Sequence, residues 1–221
     1  ATSRTELAWT VRRLPARRSL LAYLGSSMFY RDALNGLYSF GGLYAIGVLG
    51  WSITQLGVFG IAGVLSAAVA SWLGGRADHA YGPKPVIAGC IVILTAVSVT
   101  VVATTREAIF GITVPPGSVA PDIAMYICGS LIGGAGGALQ AASRTMMVRH
   151  ADPARPTEAF GLYALSGKAT AFLAPLLIGV ATAVSGDQRI GVSPLIVLFL
   201  VGLLLLVWVC KDGDIADGAT A

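Results

Sequence analysis

Four ionisable side chains stand inside stretches that are otherwise apolar, small or aromatic: Arg31, Asp32, Arg144 and Lys168. In a helix begun at Ser19, Arg31 lies about 18 Å along the axis, near the middle of a hydrocarbon layer roughly 30 Å thick. Charges at that depth are costly and face a protein interior or a water-filled cavity. Two arrangements would justify them. Asp32 could neutralise Arg31 or Lys168 as a structural ion pair, or these groups could line a polar cavity. Asp32, Asn35 and Ser39 share one helical face, and Arg31, Asn35 and Tyr38 share the neighbouring one. Asp32 is the one acid near midplane, which makes it the candidate proton-coupling carboxylate. A zwitterion would find Asp32 for its ammonium and Arg31 or Lys168 for its carboxylate. Gln140 and Arg144 sit toward the end of another apolar stretch, where Arg144 is about a turn from the surface and can also snorkel.

The elements that must position these residues follow from composition. The chain is 55% hydrophobic and 12% charged, about half the charge of a soluble domain. Hydropathy and breakers divide it into a basic juxtamembrane segment (1–18), a transmembrane domain (19–210) and an acidic tail (211–221). The expected spans are 19–49, 53–73, 86–105, 122–148, 157–185 and 190–210, an all-α, polytopic membrane protein of six helices. Gly36, Gly41, Gly42, Gly47 and Gly50 mark the second half of the first span as a place to break. Residues 74–85 read as a compact polar loop, and 106–121, with Pro115-Pro116-Gly117, as a longer one. Gly129, Gly133 and Gly137 recur every four residues and form a stripe for close helix contact.

Several classes are excluded by the same reading. The net charge of +4 comes with arginines clustered beside apolar spans, without the basic face of a nucleic-acid reader. Cys90, Cys128 and Cys210 are odd in number and not spaced as ligands. We therefore expect no metal and no cofactor. Both histidines, His79 and His150, are placed in loops and no His-Glu-x-x-His occurs, which argues against an intramembrane enzyme. Six spans bring both ends to one side. Arg4, Arg12, Arg13, Arg17, Arg18, Arg76, Lys84, Arg149, Arg155 and Lys211 fall on that side, against Arg106 and Arg189 on the other. The positive-inside rule then makes the termini cytoplasmic. Trp51 is expected at the outer interface and Trp72 and Trp208 at the inner one. Arg exceeds Lys and Ala and Gly abound, which points to a GC-rich bacterial gene and an inner membrane.

The turn between the second and third spans carries Gly74, Asp78, His79 and Gly82-Pro83-Lys84. It resembles the cytoplasmic signature loop of the major facilitator superfamily, although His79 and Ala80 depart from its usual acid and Arg. The runs Phe29-Tyr30-Arg31-Asp32 and Ser39-Phe40-Gly41-Gly42-Leu43-Tyr44-Ala45 are similar to one branch of it. So are Gln140 with Ser143-Arg144, and Phe160-Gly161-Leu162-Tyr163 with Ser166-Gly167-Lys168. That branch comprises the vacuolar effluxer-like amino-acid exporters of autophagy and their bacterial relatives. Ala33 and Ala174 replace glycines usual in those relatives.

The resemblance covers about residues 20–210 and implies the C-terminal six-helix half of a twelve-helix facilitator. In such a half a three-plus-three inverted repeat is expected. It further implies a secondary transporter whose first and fourth helices line the cavity, and a latch role for the acid at Asp78. The implied partners are a small-molecule substrate, the bilayer, a coupling proton, and an N-terminal half or second copy. The opening Ala-Thr-Ser-Arg-Thr-Glu, without an initiator Met, reads as the cut or processed start of something longer. A truncated, non-transporting six-span protein is the alternative.

Overall fold

The computed structural model describes residues 17–152 and 156–211. The basic segment before residue 17, Arg155 and the acidic tail after 211 lie outside them. The helices are α1 (Arg18–Leu49), α2 (Ile53–Tyr81), α3 (Pro83–Ala103), α4 (Ala120–His150), α5 (Pro156–Ala169), α6 (Leu173–Ser185), α7 (Gln188–Val192) and α8 (Pro194–Leu206). Two short strands, β1 (Ala108–Ile109) and β2 (Ile112–Thr113), pair antiparallel between α3 and α4. They replace the irregular loop expected there. Phe110 and Gly111 turn the chain with positive φ, as a two-residue hairpin requires.

Five stretches among the described residues are long and apolar enough to cross a membrane: Ile53–Tyr81, Pro83–Ala103, Ala120–His150, Thr157–Ser185 and Gln188–Leu206. The molecule is an integral, multi-pass helical membrane protein. The 32-residue α1 is not among the five, because its polar residues dilute its apolarity. It is long enough to cross nonetheless, at about 1.5 Å per residue.

Local signals account for the boundaries. Ser52 caps α2 and forms a capping box with Gln55, satisfying two donors of the first turn. The helix α1 runs unbroken through Gly36, Gly41 and Gly42 and stops at Gly50, which adopts the left-handed conformation. The expected break in the first span is therefore absent, and the break occurs in the fifth span instead. There α5 ends at Ala169 and α6 begins at Leu173, with Pro175 in the first turn of α6. Proline lacks the N–H that an uninterrupted helix would use at that point. The polar segment 74–85 also differs from its expected form: α2 stays helical through Tyr81, and Gly82 alone separates it from α3.

The packing scheme is symmetrical in a way the sequence did not reveal. The first span packs on the fifth and sixth, the fourth packs on the second and third, and α3 meets α8. Exchanging spans one to three with four to six leaves this set of pairs unchanged, as an inverted repeat demands. Side chains repeat the symmetry. Lys84, at the start of α3, donates to the carbonyls of Val207 (3.0 Å) and Val209 (2.6 Å) just past the end of α8. Arg189, at the start of the sixth span, donates to Val102 O near the end of α3 (3.3 Å). Each basic residue follows closely on a glycine of positive φ, Gly82 or Gly186. Each also supplies a cation to the negative end of the partner helix.

The glycine stripe of α4 lies against α2. A Cβ at Gly129 would overlap the Phe59 ring, one at Gly133 the backbone of Gly63, and one at Gly137 would crowd Ala67 and Ser71. The two helices approach as closely as they do because those side chains are missing.

Candidate substrate and coupling site

The charged pair on α1 is held by the broken fifth span. Asp32 is 2% exposed, and its Oδ2 accepts a hydrogen bond from the Ala174 N–H at 2.7 Å. The donors of the first turn of α6 are then all accounted for. Leu173 N–H bonds Thr170 O, Leu176 N–H bonds Phe172 O, and Pro175 has none to offer. Asp32 thus caps α6 from a different helix, where its charge meets the positive end of the helix dipole. Its other oxygen, Oδ1, is buried and has no hydrogen-bond partner among the described residues.

Arg31 reaches the other side of the break. Its Nη1 donates to Tyr163 O at 3.0 Å, and its guanidinium carbon sits 4.1 Å from the centre of the Tyr163 ring. Gly167 leaves room for it, since a Cβ there would crowd the guanidinium. Neighbouring residues of α1 therefore fasten the two halves of the fifth span separately. Arg31 binds α5 and Asp32 binds α6. Among the described residues, Asp32 makes no ion pair with Arg31 or Lys168, the pairing expected from the sequence. Lys168 is exposed on α5, and the group that reaches Asp32 is the backbone N–H of Ala174, beyond the break.

Below this pair lies a buried hydroxyl cluster. Tyr30 OH and Ser143 Oγ are 2.8 Å apart, and Ser143 Oγ donates to Leu139 O at 2.6 Å, so Tyr30 is the donor to Ser143. Tyr23 OH donates to Ser143 O, and its ring stacks between those of Tyr163 (6.1 Å) and His150 (5.5 Å). His150 is fully buried as the last residue of α4, which corrects its placement in a loop. Its Nδ1 is 2.9 Å from Met146 O, and its Nε2 is 2.7 Å from Ser19 Oγ. A carbonyl can only accept, so Nδ1 carries the proton toward Met146. Ser19 also accepts from Cys210 N–H at 2.8 Å, joining the start of α1 to the segment after α8. His79, by contrast, is exposed in the last turn of α2. Sequence reasoning passed over this cluster. Its signal was the spacing Ser19, Tyr23, Ser26, Tyr30, which is one polar face on a membrane helix.

The remaining candidates are exposed. Asn35 and Tyr38 are exposed on α1, Gln140 and Arg144 on α4, and Lys168 on α5. The Tyr38 hydroxyl lies against Gly136 of α4, where any side chain would collide with it. A groove of about 440 Å³ runs beside it, lined by Tyr38, Leu56, Phe59, Gly63 and Gly133 among others.

Of the signature residues, Gly74 packs on Ala138, and Asp78 is buried with Oδ1 unpartnered. Asp78 forms no ion pair among the described residues. The fastening at this end comes from Lys84 on the end of the sixth span and from Arg149, which donates to Lys211 O at 3.3 Å. At the far end, Asp122 Oδ1 accepts from Arg106 (2.6 Å) and from Trp51 Nε1 (2.7 Å). Trp51 stacks on Tyr126 and is 5% exposed, so it is packed into the bundle. Trp72 and Trp208 are exposed.

Helices that cross a membrane, a polar face at mid-depth and a pairing scheme with inverted symmetry define a facilitator-like membrane protein. The sequence pattern of the vacuole effluxer Atg22-like family matches residues 2–217, and the chain belongs to that family. It is also 24% identical over 207 residues to an uncharacterized MFS-type transporter, YxiO, of Bacillus subtilis. That alignment covers 93% of this chain and 44% of the relative, so the chain spans less than half of that protein's length. No solved structure matches.

Proposed function

We propose that the chain is one six-helix half of a secondary transporter that moves a small metabolite by alternating access, with the site near the bilayer midplane. The observation that carries this reading is the exposure of the polar side chains Asn35, Tyr38, Gln140, Arg144 and Lys168 on helices of a membrane protein, with Asp32 buried on the same helix as two of them. Polar groups do not face lipid at that depth without strong cost, so a second half covers the surface and encloses a cavity. The match to less than half of a transporter-type relative agrees with that arrangement. Amino acids are the substrate class suggested by the family resemblance.

Asp32 is the coupling group in this proposal. One of its oxygens holds α6 and the other is free to take a proton. A proton arriving at Oδ1 weakens the charge–dipole attraction at Ala174 and loosens the break in the fifth span. The chain would sit in a bacterial inner membrane with both termini in the cytoplasm. The test is substrate flux by the full-length protein in proteoliposomes under an imposed pH gradient. Asp32→Asn should abolish the response to the gradient while leaving exchange of substrate measurable. Gradient-driven flux equal to that of the unaltered protein would remove Asp32 from the mechanism.

A further inference from the structure

We infer that the hairpin between α3 and α4 is a membrane anchor. Its apolar tip, Phe110 and Ile112, inserts into the lipid interface at the end of the bundle opposite Ser19 and Cys210.

The connection is unlike a loop made for water. From Ala108 to Pro121 no residue is charged, and Ile109, Phe110, Ile112 and Val114 crowd its first half. Turns exposed to water favour Asn, Asp, Gly and Ser, and Asn-Gly above all suits a two-residue hairpin. This hairpin carries Phe-Gly. Phe110 has a φ of 51°, a left-handed conformation that a bulky side chain adopts only at a cost. Packing within the chain does not offset that cost, since Phe110 is 57% exposed and Ile112 73% exposed.

Backbone bonds decide which way the tip faces. After α3 ends at Ala103, Thr105 N–H bonds Ala108 O and the chain reverses. Thr104 then pairs antiparallel with Ile109, and Phe110 N–H donates to Ala103 O at 2.9 Å. The tip is therefore folded back to the level of the last residue of α3. With 21 residues, α3 is about 32 Å long, which matches a hydrocarbon layer of about 30 Å. Its last residue stands at the edge of that layer, and the tip stands beside it. Arg106 and Glu107 sit at the opposite bend, where Arg106 is bound to Asp122 in the first turn of α4. The hairpin thus turns its charges away from the bilayer and its apolar end toward it. Helix α3 also exposes Val92, Ile93 and Val99, so the tip lies at the end of a helix that already meets lipid. With Arg106 paired to Asp122, the contact is apolar and requires no anionic headgroup.

The test uses the full-length protein in phosphatidylcholine vesicles, with Cys210 and every other reactive cysteine replaced by serine. An environment-sensitive NBD label is placed in turn at Phe110→Cys and at Glu107→Cys. The label at the Phe110 site should emit to the blue of the other and resist aqueous iodide. It should also lose about half or more of its fluorescence to phosphatidylcholine carrying a doxyl group near the top of the acyl chain. The label at the Glu107 site should show the reverse. In a Phe110→Asn background, Asn-Gly keeps the turn. There a label at Ile112→Cys should lose about half of its doxyl quenching, while the Glu107 site is unchanged. Equal iodide access at the Phe110 and Glu107 sites overturns the inference. Blue emission at the Phe110 site without doxyl quenching also overturns it, because protein, a second half or a second copy, then covers the tip. Doxyl quenching at Ile112 unaffected by Phe110→Asn overturns it as well, since the aromatic ring then does not hold the hairpin in the bilayer.

Discussion

Asp32 joins two functions that substitution can separate. Its carboxylate caps α6 through Ala174 N–H, and its second oxygen has no partner. Asparagine keeps a carbonyl oxygen that can accept the same bond, whereas alanine cannot. Asp32→Ala should therefore lower stability by about 1–2 kcal/mol, the usual cost of removing an N-cap, and Asp32→Asn by less than half of that. Thermal unfolding in detergent measures both. Equal losses would mean that the charge, and not the cap, holds the break. The presence of Asp32, Arg31 and Lys168 at membrane depth was readable from the sequence because charges stand out in apolar stretches. Their partners were not readable. Which way Lys168 faces depends on the rotation of α5, and that rotation is set by a break whose exact place depends on Thr170 to Phe172. Pro175 marked the region without saying that Ala174 would be left with a free N–H.

At the scale of elements, glycines divide into those that packing requires and those it does not. Gly133 faces the backbone of Gly63 without room for a Cβ, while a Cβ at Gly41 meets nothing within 4 Å. Gly133→Ala should destabilise the α2–α4 contact by about 1–3 kcal/mol. Gly41→Ala should be neutral or stabilising by up to about 1 kcal/mol through restriction of the unfolded chain. A pair of unfolding curves decides it, and similar losses at both positions would contradict the packing described. The glycine stripe was legible at the sequence level because its spacing of four is that of a helix face. The supposed break in α1 was misread for the related reason that glycine signals permission and not necessity. Gly36 is used for close packing against Leu195 and Ala174, so the residue that replaces a family glycine at Ala174 meets a glycine across the interface. Trp51 sits in a packed corner, which its sequence position alone does not show, because an aromatic residue at a span end serves an interface or such a corner. Asp122 and Tyr126, which decide between these, come from a distant part of the chain.

For the molecule as a whole, the start of α1 and the segment just after α8 meet at one end of the bundle, through Ser19 and Cys210. The charge rule assigns that end to the cytoplasm. Cys90 and Cys128 are buried and Cys210 is exposed, so a membrane-impermeant thiol reagent can check the assignment. In intact cells it should modify a cysteine placed at Ser118 but reach Cys210 only after permeabilisation. Reaction of Cys210 in intact cells would invert the topology.

The reciprocal bonds of Lys84 and Arg189 carry a mechanical consequence. Helix α3 is clasped to the sixth span at one end by Lys84 and at the other by Arg189, so these two members form a beam pinned at both ends. A doubly pinned beam resists both sliding and splaying. Compliance is left to the wings, α2 on one flank and the jointed α5–α6 on the other. Any change of shape in this bundle is therefore a movement of the wings against a stiff spine, and the joint next to Asp32 is where a wing can flex.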